Sequence, residues 1–220
     1  MNLRSRVLAQ LGTVYDPELD GPITTLGFVG SCVVTEEGDV LVRLRLPTPQ
    51  CAPNFAFLMA ADARAAIDRV PGLREVEIEL QDHYTGEEIN AAISRGDGFS
   101  GAFPGETRGE LDALRALFQR KALVARQGRL LSTVADPATA RLGDLSGAEA
   151  DRCRELRAAL GYDAGDAAPA FVKGDGTPVT AEELPRFRRM ASLTSLSLET
   201  NGGMCRDLLR VRYSEERVAA

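Results

Sequence analysis

The chain has 220 residues, 44% hydrophobic and 26% charged, with 26 Lys+Arg against 32 Asp+Glu and a formal net charge of -6. That composition describes one or two globular domains and excludes a disordered chain. An acidic balance repels phosphate backbones, and no apolar run approaches the roughly 20 residues of a membrane span, so neither nucleic acid nor membrane is the expected partner.

The N-terminal Met-Asn-Leu-Arg-Ser-Arg-Val-Leu lacks the apolar stretch and cleavage site of a signal peptide, which predicts a cytoplasmic protein. In chain order, Leu3, Val7 and Leu11 share one face of a short helix, and Asp16-Pro17-Glu18-Leu19-Asp20-Gly21-Pro22 forces a loop. Phe28 to Val34 reads as a strand and Glu36-Glu37-Gly38-Asp39 as a hairpin turn. Val40 to Leu46 follows as a second strand with Val40, Val42, Leu44 and Leu46 on its buried face. A helix from Asn54 carries Phe55, Leu58, Met59, Ala63, Ile67 and Val70 on one stripe until Pro71-Gly72 stops it. Val76, Ile78 and Leu80 alternate with glutamates in a third strand. The order predicts an α/β (α+β) fold: a small helix–hairpin–helix–strand domain followed by a mostly helical extension.

Residues 1–90 hold 7 Arg and 14 Asp+Glu, a net of -7, whereas residues 91–220 hold 19 Lys+Arg and 18 Asp+Glu, a net of +1. This shift predicts a domain over 1–90, a Gly-rich linker over 91–106, and an extension over 107–220. Within the extension, Leu111, Leu114, Leu117 and Phe118 predict a helix. Ser146-Gly147-Ala148-Glu149 and Thr180-Ala181-Glu182-Glu183 read as capping boxes. The first opens a helix with Cys153, Leu156 and Leu160 on its apolar side. Ala170-Phe171-Val172 and Pro178-Val179 suggest a short hairpin, and Asn201-Gly202-Gly203 is expected to precede a last helix carrying Met204, Leu208 and Val211. Arginines such as Arg186, Arg188, Arg189, Arg206, Arg210 and Arg212 read as solvated helix faces, with docking of an acidic partner as a further role.

The cysteines Cys32, Cys51, Cys153 and Cys205 are widely spaced, form no CxxC pair and accompany one histidine, His83, which disfavours a disulfide framework and a closed zinc site. Cys51, in Thr48-Pro49-Gln50-Cys51-Ala52-Pro53-Asn54, precedes a helix start whose free N–H groups and dipole favour a thiolate. Such a thiolate binds a soft metal or attacks an electrophile. Cys205, expected in a helix first turn, is open between the same chemistry and simple packing; two such thiolates can share a metal or an iron–sulfur cluster. Cys32, in a strand, and Cys153, on an apolar stripe, read as packing residues. Asp16 and Glu18 are oxygen donors or turn formers, Thr48 orients the Cys51 site or caps the helix, and His83 is a ligand or a surface residue.

Val14-Tyr15-Asp16-Pro17-Glu18, Ile23-Thr24-Thr25-Leu26-Gly27-Phe28-Val29, the hairpin, Thr48-Pro49-Gln50-Cys51-Ala52-Pro53 and Pro71-Gly72-Leu73-Arg74-Glu75-Val76 together resemble the small iron–sulfur cluster assembly proteins related to SufT and PaaD. The resemblance covers about residues 3–82. It implies a non-enzymatic maturation factor whose reactive cysteine is Cys51 and whose acidic loop holds Asp16 and Glu18. The implied cargo is iron or an iron–sulfur cluster, held transiently. The extension is similar to longer versions that accompany bacterial multicomponent monooxygenases, which implies such a client metalloprotein. The two cysteines expected at helix starts add the reading that Cys205 completes the metal site with Cys51, in a pocket supported by Asp16, Glu18, Thr48 and His83. Two other readings stay open: a metal-free adaptor that docks a cluster carrier onto its client through the sheet edge and the extension, and a thiol enzyme using Cys51 with His83. An exposed sheet edge also leaves a homodimer open.

Overall fold

Apolar side chains at every second position give the strand Val40–Arg45 one buried face, formed by Val40, Val42 and Leu44. The computed structural model describes residues 2–105 and 108–214. They fall into two compact units, one running to Asp112 and resuming at Asn201, the other Ala113–Thr200.

The first unit opens with α1 (Leu3–Leu11), capped by the Asn2 side chain on Ser5 N–H, and continues through β1 (Val29–Val34), β2 (Val40–Arg45), α2 (Pro53–Ile67) and β3 (Val76–Gln81). The sheet order is β1-β2-β3, antiparallel between the first two strands and parallel between the last two. A parallel pair needs a crossover, and α2 supplies it, burying Phe57, Leu58, Met59, Ala63 and Ile67 in the core. The mixed α/β class expected for the chain is what the structure has. At the hairpin, Gly38 takes φ 93°, and a Cβ there would lie 2.6 Å from the Gly72 carbonyl oxygen. Gly38→Ala is therefore expected to cost on the order of 1–3 kcal/mol, read as a lower urea midpoint with an unchanged m-value.

Segment 91–106, expected as a linker, is largely helical in its described part; residue 106 lies outside the described residues. It holds the end of α3 (Gly86–Arg95) and α4 (Phe99–Ala102). Ile93, Phe99 and Ala102 are buried in the same core as the sheet, with the Phe99 ring edge-on to Phe57 at 5.3 Å. The glycines punctuate here: Gly96, at φ 73°, ends α3 in the left-handed conformation that suits a helix C-terminus. The first unit thus runs well past residue 90.

The outer edge of β3 is engaged. Asn90 on α3 accepts from Leu80 N–H at 2.8 Å and donates to the Leu80 carbonyl at 3.1 Å, and Arg64 donates to the Val76 carbonyl at 2.9 Å. A strand adding there has to displace both side chains.

The second unit takes most of α5 (Arg108–Leu130), α6 (Ala148–Ala159) and the first part of α7 (Leu184–Arg212), with a 3₁₀ turn at Leu142–Asp144. Leu123, Leu142, Leu156, Phe171 and Phe187 are buried in its core. The expected capping box at Ser146 does not form: Gly147 is the N-cap of α6 and no side chain caps it. The box at Thr180 does form, through Thr180 N–H to Glu183 Oε2 and Glu183 N–H to Thr180 Oγ1. The expected hairpin is reduced to a single bridge, Val172 with Pro178. Arg157 is fully buried and donates to the carbonyls of Pro169 and Ala170 and to Gln127 Oε1. Gln127, also buried, bonds the Val172 N–H and carbonyl.

Asn201-Gly202-Gly203 does not start a new helix; α7 runs through it unbroken. Two glycines in a helix interior cost about 1 kcal/mol each, which packing of the adjoining turns offsets. Among the described residues, no helix is long and apolar enough to cross a membrane.

Candidate functional site

Cys51 lies in the loop between β2 and α2, half-buried against the core of the first unit. Pro53 occupies the first turn of α2, where its missing N–H costs nothing. The Thr48 hydroxyl stands 3.5 Å from Cys51 Sγ and can donate to it. The loop backbone is held by the segment that follows β3. Tyr84 N–H donates to the Pro49 carbonyl at 3.1 Å, and His83 Nε2 bonds the Cys51 carbonyl at 2.7 Å. A carbonyl only accepts, so Nε2 carries the proton and Nδ1 accepts from the Thr85 N–H and hydroxyl. Burial pushes the His83 imidazole below its usual value, Arg212 adds to this and the Cys51 carbonyl opposes it. His83 is thus a neutral strut with both ring nitrogens committed, not an exposed residue. Asp82, which turns the chain into His83, takes φ 51°, a left-handed conformation uncommon outside glycine.

The Asp16 loop is built on a buried carboxylate. Asp16, 6% exposed, accepts through Oδ1 from Glu18 N–H at 2.9 Å and Leu19 N–H at 2.7 Å, fixing the turn. Burial raises its pKa to about 6 against those two bonds, with Glu18 and Asp20 adding to the rise. Glu18 is exposed, and Asp20 takes φ 49°.

Cys205 sits within α7, not in a helix first turn, so the dipole argument expected for it does not apply. It is half-buried against the same core as Cys51. Burial raises its pKa, and the charges of Asp16, Cys51 and Glu18 raise it further while Arg206 lowers it. The structure therefore brings Cys205 within electrostatic reach of three residues singled out from the sequence. Cys32 and Cys153 are buried, as expected of packing residues.

This arrangement is held by Arg212, expected on a solvated helix face but half-buried, and by Tyr213, which the sequence did not single out. Arg212 donates to the Leu46 carbonyl at 3.0 Å and to the Asp82 carbonyl, while the Tyr213 hydroxyl donates to Asp82 Oδ2 at 3.1 Å. The Arg45 guanidinium lies 4.6 Å from the Tyr213 ring centroid. Burial pushes the Tyr213 phenol up to about 12. The packed face is Gly202, Cys205, Leu209 and Arg212, whereas Met204, Leu208 and Val211 are exposed. Spacing by three, four and three residues was the available signal, masked by the more apolar neighbouring stripe. Among the described residues, no group of three or more His, Cys, Asp or Glu side chains converges to hold a metal ion.

The first unit is thus a small α/β domain that presents one cysteine between a strand and a helix. Residues 4–80 match the family described as iron-sulfur cluster assembly protein. An uncharacterized protein of Methanocaldococcus jannaschii is 31% identical over 93 residues, 42% of this chain and 96% of that protein. The Fe-S protein maturation auxiliary factor of Porphyromonas gingivalis is 34% identical over 74 residues, 34% of this chain and 69% of that protein. An iron-sulfur cluster carrier protein of Deinococcus radiodurans is 36% identical over 79 residues, 36% of this chain; the match spans 21% of the carrier's own length. The chain belongs to the iron–sulfur cluster assembly protein family.

Proposed function

We propose that this protein is a non-catalytic maturation factor that assists assembly of an iron–sulfur cluster or iron centre in a client metalloprotein, with Cys51 as the residue that handles the cargo. The observation that carries this reading is the clamped Cys51 loop: Thr48, His83 and Tyr84 fix the backbone and the thiol surroundings of a half-buried cysteine inside the family domain. A single thiolate leaves most positions on iron open, which suits transfer better than storage. The names of the Porphyromonas and Deinococcus relatives, a maturation auxiliary factor and a cluster carrier, point the same way. A thiol enzyme is disfavoured because the His83 ring is spent on the Cys51 carbonyl and on Thr85, leaving no imidazole nitrogen to deprotonate Sγ. The protein acts in a reducing cytoplasm, with none of its four cysteines in a disulfide. The finer assignment, a bacterial multicomponent monooxygenase as client, rests on the resemblance of the extension alone.

The test is anaerobic reconstitution with ferrous iron and sulfide, followed by iron counting and transfer to an apo-acceptor. Wild type is expected to take up and release iron, and Cys51→Ser to lose at least about tenfold in transfer rate, as expected when a metal's thiolate ligand is removed. Uptake and transfer undiminished in Cys51→Ser refutes the reading. A wild type that takes up no iron favours the adaptor that docks a carrier onto its client.

A further inference from the structure

We propose that Cys205 is the second cysteine of the cargo site: the C-terminal stretch of α7 is a clasp that carries its thiol to Cys51, and the two take one divalent metal ion together. This rests on Cys51 being the cargo-handling residue. The clasp is fastened to both flanks of the Cys51 loop. Arg212 bonds the carbonyl of Leu46, the residue that leads into that loop, and the carbonyl of Asp82, next to the His83 strut that holds Cys51 itself. Tyr213 adds the Asp82 carboxylate. Leu209 is buried close to Gly27, where a Cβ would come within 3.2 Å of its methyl group. Two turns before Arg212 along the same face stands Cys205.

A helix held only for packing has no need of polar pins to the loop that carries the reactive cysteine. The Methanocaldococcus relative is barely longer than the 93 residues aligned, so a protein of this family can exist without such a clasp. Cys51 and Cys205 are also both half-buried and pack against the same hydrophobic core of the first unit. On binding, two S–H bonds break and two metal–sulfur bonds form. Both protons leave to water, and the metal keeps its oxidation state. With two protein donors, the remaining positions stay open to water and to donors of the giving or accepting protein.

The full-length protein is titrated anaerobically with Co2+, whose thiolate charge-transfer absorption reports sulfur ligation. Cys205→Ser and Cys51→Ser are each expected to keep roughly half the band and bind at least about tenfold more weakly. Arg212→Ala, which leaves both thiols in place, is expected to keep the full band at saturation with about tenfold weaker binding. Circular dichroism checks that each variant is folded. In wild type, Co2+ is expected to protect both Cys51 and Cys205 from iodoacetamide, read by peptide mass spectrometry, a result no folding defect can imitate. If Cys205→Ser matches wild type and only Cys51 is protected, the clasp proposal falls while Cys51 keeps its role. If neither thiol contributes to the band, or wild type shows no thiolate band, both fall.

Discussion

Arg157→Ala is expected to remove about 3–5 kcal/mol from the second unit, enough to erase much of a typical domain stability of about 5–15 kcal/mol. Arg157 is fully buried, and its guanidinium bonds the carbonyls of Pro169 and Ala170 at 2.9 and 2.6 Å. That segment joins other backbone only through isolated bridges, Arg141–Pro169 and Val172–Pro178, rather than a regular ladder, and its Pro169 and Ala170 carbonyls take bonds from the guanidinium. Removing the guanidinium leaves both carbonyls without those bonds and opens a cavity the size of the longest fully buried side chain in the unit. Gln127 keeps its bonds to Val172 but loses its contact with Arg157. For a unit of 60–100 residues each kcal/mol shifts the midpoint by about 4–8 °C, so a drop exceeding about 12 °C is expected by calorimetry. A shift under about 4 °C would mean that water or relaxed backbone replaces the guanidinium, and that the buried arginine is not what holds the segment.

The sheet was legible because its signal is local. Period-two alternation in Val40–Leu46, a glycine turn at Gly38 and a proline-bounded helix start at Pro53 each depend on neighbours a few residues away. Segment 91–106 was misread for the same reason in reverse. Glycines at 96, 98, 101 and 105 raise the local cost of structure, and only the distant core, through contacts such as Phe99 on Phe57, repays it. The start of the last helix failed likewise: two consecutive glycines end a helix by propensity, yet α7 passes through them.

At the site, the sequence pointed to Cys51, Asp16 and Thr48 through loop chemistry, but not to what holds them. Arg212 reaches Leu46, 166 residues away, and no spacing rule spans that interval. His83 stood open between ligand and surface residue; the Cys51 carbonyl decides for neither, making it a strut. Met204, Leu208 and Val211 formed the more apolar stripe and so concealed the face that packs, which carries a glycine, a cysteine and an arginine beside Leu209.

Asp16→Asn is expected to make the protein more stable at pH 7.5 and a poorer binder of cations. The native carboxyl titrates near 6, raised from 3.8 chiefly by burial. Between those two values the folded state holds the proton more tightly than the unfolded state does. Stability from this group is therefore greatest below about pH 3.8, declines as pH rises toward 6, and is fully lost above it. A shift of about two units corresponds to roughly 3 kcal/mol, an upper figure for what the buried charge costs at pH 7.5. Asparagine keeps an oxygen for the Glu18 and Leu19 N–H groups and carries no charge. The variant is thus expected to gain about 1–3 kcal/mol over wild type at pH 7.5 and almost nothing at pH 4, measured as the difference in urea unfolding between the two proteins at each pH. Subtracting wild type from variant cancels the other carboxylates. A difference that does not grow between pH 4 and 7 would show that Asp16 carries no buried charge. A destabilising carboxylate whose charge acts on Cys205 makes physical sense where a positive ion offsets it, so the more stable variant should also bind Co2+ more weakly.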